Sequence, residues 1–190
     1  MTLSTPPVIA AGSLSARPQP LLSAAGGLLL RPWEATDAPV FHAAYQDPEL
    51  RRWHTNRPDS EDDVRGWFDG YRADWEQERG AHWAVTRGGE VAGRIAARGF
   101  DFGSGVAGCA YWVVPAARRA GVASGALAAV SAWAFGPAGF HRLYLDHSTR
   151  NIGSCRVATK AGFEAEGVMR SAAVHDDGRH DMHRHARIRV

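Results

Sequence analysis

Between Ser60 and Trp75 the apolar residues Val64, Trp67, Phe68, Tyr71 and Trp75 recur three and four positions apart, the period of one helix face. Ser60 and Asp63 stand just ahead of them at roughly the spacing of a capping box, with Asp in place of the usual Glu. The pattern predicts an amphipathic helix whose aromatic stripe is core, because burying that stripe is what makes such a helix stable. From His82 the period shortens. HWAVTR, EVAGRIAAR and VAGCAYWVV are separated by Gly88-Gly89 and by a glycine-rich stretch at Gly103 and Gly105, which predicts an antiparallel meander.

Either side of these segments the alternation continues. LLLRPW from Leu28 reads as a strand, and Thr36 caps a helix with Pro39 in its first turn, where the missing N–H costs little. After the meander come a helix to about Phe135 with Leu127, Val130 and Ala134 on one side, a strand RLYLDH, and a helix NIGSCRVATKAGF ended by Gly162. Two last strands, EAEGVMR and MHRHARIRV, flank a His-Asp-Asp-Gly turn. The expected class is α/β, a mixed sheet covered by helices.

The junction between the third meander strand and the next helix, CAYWVVPAARRAGVAS, carries the first sign of chemistry. The opening amides of a helix have no internal acceptor and gather about half a positive charge, so the turn before one suits an anion. Arg118 and Arg119 add two cations, and Gly121 lets the backbone approach a ligand oxygen. A Gly-Lys-Ser/Thr sequence and a triple-glycine fingerprint are both missing, so this is neither a nucleotide-triphosphatase loop nor a dinucleotide fold. On its own, the turn also fits a basic surface loop before a core helix.

Composition narrows the class further. The chain has 190 residues, 45% of them hydrophobic, enough for one well-buried core and one domain. A formal net charge of +2 is too mild for a dedicated nucleic-acid binder. No apolar run approaches the ~18 residues of a membrane span. Cys109 and Cys155 are expected to be buried free thiols of a reducing compartment. Residues 1–27, rich in Pro, Ala, Ser and Gly and without a signal-peptide pattern, are expected to be a disordered extension of a cytoplasmic protein.

Three segments together resemble the GNAT N-acyltransferase superfamily, and within it the ribosomal-protein N-terminal acetyltransferase branch: LRPWEATDA, YWVVPAARRAGVASGAL, and NIGSCRVATKAGF. The resemblance covers residues 28–190. It implies a GNAT domain with a mostly antiparallel six- to seven-stranded sheet, a central splay and about four helices. It also implies bound acetyl-CoA, with the pyrophosphate on the amides of Arg119, Ala120, Gly121, Val122, Ala123 and Ser124, and Arg118 nearby. Trp112, Val113 and Val114 would line the pantetheine as an added strand does, and Asn151 and Ser154 would face the pantetheine and the sulfur. Ala120 stands where the branch commonly has a basic or polar residue.

Acyl transfer to an amine needs a neutral nucleophile, a donor for the oxyanion and a proton for the leaving thiolate. By the resemblance, a backbone amide near Val113 or Val114 serves the oxyanion. The tyrosine that many members use as acid falls at Ala158, and Ser154 is the substitute, unless its hydroxyl merely bonds a helix carbonyl. The branch's glutamate base falls at Gly108. Asp101, His82 and His147 remain as candidate bases, each with an alternative as a cap or a satisfied polar group. At pH 7 a lysine amine of pKa about 10.4 is neutral in ~1 molecule in 2,500, against ~1 in 7 for an α-amine near 7.8. Without a strong base, an α-amine of a peptide, antibiotic or small metabolite is the expected acceptor.

His175, His180, His183 and His185 crowd the end of the chain, and His183 and His185 share a strand face. No motif fixes a third ligand, so a polar strand face is the preferred reading and no metal is expected. Two other activities stay open: a transferase using aminoacyl-tRNA, and a non-catalytic acyl-CoA binder. The acceptor site would lie within residues 33–75 and 171–185, with Trp53, Asp176 and Asp177 as possible lining. Both a monomer and a homodimer are compatible with the sequence.

Overall fold

The computed structural model describes residues 6–190. One eight-stranded sheet runs in the order β1-β2-β3-β4-β5-β6-β8-β7. Its strands are β1 (Leu22–Ala24), β2 (Leu28–Pro32), β3 (Gly80–Arg87), β4 (Glu90–Asp101), β5 (Val106–Val113), β6 (Arg142–Ser148), β7 (Glu164–His175) and β8 (Gly178–Ile188). The helices are α1 (Ala38–Ala44), α2 (Pro48–Trp53), α3 (Glu61–Glu76), α4 (Val122–Phe135) and α5 (Ile152–Lys160). The extra strand relative to expectation is β1, and the extra helix is α2. Among the described residues, no helix is long and apolar enough to cross a membrane.

Every strand pair is antiparallel except β5 with β6. That parallel pair is short: Val106, Ala107 and Gly108 match Arg142, Leu143 and Tyr144, and pairing stops there although both strands continue. Residues 109–113 and 145–148 therefore diverge and leave a gap in the middle of the sheet.

Each face of the sheet buries its own core. On one, α4 and α5 cover Leu30, Trp83, Ile95, Leu127, Val130, Leu143 and Phe163. On the other, α1 and α3 enclose Trp33, Phe41, Phe68 and Trp112, with Trp33 stacked on Phe68 at 5.0 Å between centroids. The aromatic stripe of α3 is thus core, as its period predicts. Ser60 caps α3 by accepting from the Asp63 amide at 3.1 Å, while the Asp63 carboxylate accepts from Asp59 rather than closing the box on Ser60. Helix α1 begins one residue later than expected, with Asp37 instead of Thr36 at its cap.

Residues 6–27 are not the disordered extension the composition suggested; residues 1–5 lie outside the described residues. The arm packs across α3 and β3, with Ile9 and Leu14 buried. Glu78 accepts from the amides of Gly12, Leu14 and Ser15 at 2.5, 2.7 and 3.0 Å. The indole N–H groups of Trp75 and Trp83 donate to the carbonyls of Arg17 and Pro20 at 2.9 and 2.8 Å. Low hydrophobicity predicts disorder only where backbone and apolar groups find no partners, and here they do.

Candidate active site

A cavity of about 260 Å³ opens where β5 and β6 part. Trp53, His54 and Thr55 come to it from the end of α2, Arg94 and Arg98 from β4, Cys109 and Tyr111 from β5, and Asp146, His147 and Ser148 from β6. Asn151 and Ser154 enter from α5, and Ala173, Val174, His175 and Met182 from the last hairpin. The expected acceptor region is therefore represented by the α2 end and the β7–β8 hairpin. Asp176 and Asp177 instead line a second depression with Gln46, Pro48, Arg51 and Arg52.

Strand geometry decides which backbone groups face the gap. The Val114 amide donates to Ala92 on β4 at 3.0 Å. Because N–H groups alternate sides along a strand, the amides of Tyr111 and Val113 point the other way, toward the divergence. Of the two amides expected to serve an oxyanion, Val113 is thus free and Val114 is not. Trp112 contributes neither its amide nor its ring to the gap; the ring is buried against Phe41 at 5.2 Å between centroids.

After β5 a short 3-10 turn (Pro115–Ala117) leads into α4. Arg119 and Gly121 adopt left-handed φ values of 62° and 77°, which curls the backbone into a concave run of amides. The first helical acceptor filled is the Gly121 carbonyl, by the Gly125 amide at 2.9 Å, so Val122, Ala123 and Ser124 keep amides without a helical partner. The Ser124 hydroxyl bonds the Gly121 carbonyl at 3.1 Å, and the Ala120 carbonyl accepts from Arg87 at 3.1 Å. Arg119 is exposed. Arg118 instead turns to α2, pairing with Asp47 and, at 2.8 Å, with Glu49. Burial would raise the Asp47 carboxyl, yet Arg118 and the Leu50 amide hold it below its ordinary range.

Asn151 caps α5, its side-chain oxygen accepting from the Ser154 amide at 3.0 Å. Ser154 does not bond a helix carbonyl through its hydroxyl; its Oγ lies 2.8 Å from the Tyr111 hydroxyl. Burial pushes the Tyr111 phenol up to about 12, so it stays protonated at neutral pH. The sequence reading missed Tyr111 because it sought the acid on α5. The signal available was the tyrosine's position on the strand, three residues beyond Gly108. Ala158, at the helix position, is fully buried in the core.

The candidate bases separate. Asp101 is exposed at the closed end of β5, accepting from the Ser104 amide at 3.1 Å, so it is a turn cap remote from the divergence. His82 does not line the cavity; it is buried between Asp74 and Arg94, at 3.1 Å from each, and stacked on Tyr71. His147 does line it, but its Nδ1 is bonded to the Ser148 carbonyl at 2.8 Å. Burial, opposed by that bond, lowers its pKa.

His54, which the sequence did not single out, has its pKa lowered to about 4, first by burial and then by Arg94 and Arg98. Among the described residues neither of those arginines pairs with a carboxylate, whereas Asp146 is held by Arg184 at 2.8 Å. The ring of Tyr144 fills the space over Gly108, where a Cβ would approach its Cζ to 3.0 Å.

These features converge with the comparisons to known proteins. The profile of the acetyltransferase (GNAT) domain matches residues 27–164. The chain belongs to the GNAT acetyltransferase family. An uncharacterized N-acetyltransferase of Bacillus subtilis, YoaA, is 27% identical over 146 residues, spanning 75% of this chain and 82% of that protein. Mycobacterium smegmatis RimJ, solved with a CoA-disulfide, superposes with a TM-score of 0.81 at 23% identity, over 89% of this chain and 86% of that one. A Salmonella typhimurium acetyltransferase that modifies the N-terminal serine of ribosomal protein L7/L12 gives 0.80 at 20% identity, over 89% and 99%. The immunity acetyltransferase MccE, with acetyl-CoA and AMP, gives 0.78 at 15%, over 86% and 93%. The GNAT fold is thereby matched, the chain is an N-acetyltransferase, and the RimJ and MccE structures were solved with a CoA-disulfide and with acetyl-CoA.

Proposed function

We propose that this chain is a cytoplasmic enzyme that acetylates a low-pKa primary amine, such as the α-amine of a peptide or small molecule, by direct attack on acetyl-CoA in a ternary complex. The observation that carries the reading is the continuity of two sites. The divergence of β5 and β6, with the amides of Tyr111 and Val113 on its wall, opens into the arginine-lined cavity. The CoA-bound RimJ and the L7/L12-modifying relative support the same donor and an α-amine acceptor.

In this reading the pyrophosphate rests on the amides of residues 119–124, and the pantetheine pairs with the free edge of β5. The amine nitrogen attacks the thioester carbon, and the oxyanion accepts from the Val113 amide, with the Tyr111 amide as a second donor on the same edge. As the C–S bond breaks, Ser154 donates its proton to the sulfur and draws one from the Tyr111 hydroxyl, and the phenolate so formed takes a proton back from solvent before the next turnover. The nitrogen's surplus proton leaves to solvent. No carboxylate base is required, because burial and, after it, the field of Arg94 and Arg98 keep His54 neutral, and both disfavour a bound ammonium in the same cavity.

The test is calorimetric titration with acetyl-CoA, followed by thiol release with a peptide bearing a free α-amine and a matched peptide bearing only a lysine amine. Heat of binding and faster turnover of the α-amine at pH 7 are expected. Absence of heat overturns the donor, and preference for lysine overturns the acceptor.

A further inference from the structure

Four side chains that acetyl transfer leaves without a task meet where α5 crosses β6 and β8. They are His147 of β6, Cys155 of α5, and His183 and His185 of β8, and one potential ligand atom from each lies within 4.8 Å of all the others. The register explains the meeting. His147 is the direct cross-strand partner of His183, and His185, two residues on, projects from the same face. The residue after Ser154 on the capped first turn of α5 is Cys155. The sequence showed two histidines on one strand and no third ligand; strand pairing and helix packing supply the third and fourth.

The nitrogens of this cluster lack partners. His147 Nε2 and His183 Nδ1 have no hydrogen bond among the described residues, and the ring of His185 has at most a weak contact with the Phe163 backbone, which leaves one of its nitrogens without a partner. Yet His147 is only 6% exposed and His185 only 2%. Buried polar atoms left unpaired are costly, and three rings converging on one point is a costly arrangement unless something is bound there. His147 is further specified: its Nδ1–H donates to the Ser148 carbonyl at 2.8 Å, which leaves the Nε2 lone pair free. That is the orientation in which metal-bound histidines are usually held.

We propose that His147, Cys155, His183 and His185 bind a zinc ion. Three imidazoles and one thiolate are a borderline-soft donor set suited to zinc and unsuited to magnesium or calcium. Zn–N bonds of ≈ 2.0–2.1 Å and a Zn–S bond of ≈ 2.3 Å put tetrahedral donors ≈ 3.3–3.6 Å apart, so the cluster closes on the ion with shifts of about 1 Å. Four protein ligands fill the coordination sphere, which makes the site structural. On binding, the Cys155 thiol loses its proton to solvent and the imidazoles bind as neutral ligands. The ion would tie α5 to β6 and β8, and so fix the height of Asn151 and Ser154 beside the gap. The proposal stands independently of the acetyl acceptor.

The test uses the full chain without a polyhistidine tag, stripped with chelator and titrated with cobalt(II). One saturable equivalent with tetrahedral d–d absorption and a thiolate-to-cobalt charge-transfer band is expected, and zinc should displace it. Cys155→Ser should lose the charge-transfer band, and the pair His183→Ala with His185→Ala should weaken binding by more than roughly 100-fold. His141→Ala, on the exposed surface, should bind like the parent. If the double histidine variant fails to fold, Cys155→Ser alone decides through its spectrum. Lack of saturable binding, or a spectrum unaltered by Cys155→Ser, overturns the site.

Discussion

The Tyr111 hydroxyl lies 2.8 Å from Ser154 Oγ, linking the free edge of β5 to the first turn of α5. This contact places a chain of two hydroxyls at the head of the gap. The phenol, held protonated by burial, can replenish the serine. If the pair protonates the leaving thiolate, Ser154→Ala should lower kcat by about 100-fold, the low end for a general acid. Tyr111→Phe should cost nearly as much, and the double variant little more than either alone, since residues acting as a unit are non-additive. Steady-state thiol release from all three variants checks this; additive losses would mean separate roles.

Arg94 and Arg98 should govern the pH profile. Removing one unpaired cation relaxes the field that disfavours a bound ammonium, so Arg98→Ala should move the ascending limb of kcat, which reports groups in the bound complex, to higher pH. A profile unshifted in that variant would separate the arginines from amine deprotonation.

Placing a glutamate at Gly108, where the family resemblance would put a base, should fail. The Tyr144 ring already occupies the space, with the Arg184 guanidinium 4.6 Å above it. Gly108→Glu must displace that ring and is expected to destabilise by about 1–3 kcal/mol, as overpacking does. Gly108→Glu combined with Tyr144→Ala should recover part of the loss in urea denaturation.

His82 predicts acid sensitivity. Burial, and then Arg94, lower its pKa to about 3, against a pull upward from Asp74. Arg98 acts in the same downward direction as Arg94, and the ring is stacked on Tyr71. Because an unfolded histidine titrates at ~6.5, the unfolded chain binds the extra proton between those values. Stability is therefore full above about pH 6.5 and falls toward pH 3. His54, lowered to about 4, adds a loss of the same sign. Denaturant midpoints between pH 7 and pH 4.5 should drop less in His82→Gln than in the parent, once its lower stability at pH 7 is subtracted.

The N-terminal arm should matter to stability. A chain starting at Leu28 exposes the surface under Ile9 and Leu14 and unpairs the indoles of Trp75 and Trp83. A clear loss of Tm is expected, and equal Tm values would return the arm to the status of an unattached extension.

The reasons some of these features were legible in the sequence, and others not, are physical. Val64, Phe68 and the meander strands could be read because period and turn residues act locally. The Gly121 turn could be read because a left-handed residue at a helix start leaves a local mark. Tyr111 beside Ser154, and His147 with Cys155 beside the β8 histidines, depend on how far β5 departs from β6 and where α5 settles. Those distances are set by packing between elements far apart in the chain. The arm was misread because its composition was judged without Glu78, whose carboxylate accepts three of its amides.

The ion pairs of Arg118 with Asp47 and Glu49 bear on the order of events in catalysis. In the proposed binding mode, a pyrophosphate on the α4 turn would compete with the two carboxylates of α2 for one guanidinium. A donor that took Arg118 would remove the ion pairs that tie the start of α2 to the α4 turn. The far end of that short helix carries Trp53 and His54 into the wall of the acceptor cavity. Donor occupancy would then be coupled to the shape of the neighbouring cavity. The kinetic signature expected is compulsory order, with acetyl-CoA binding first and the amine second.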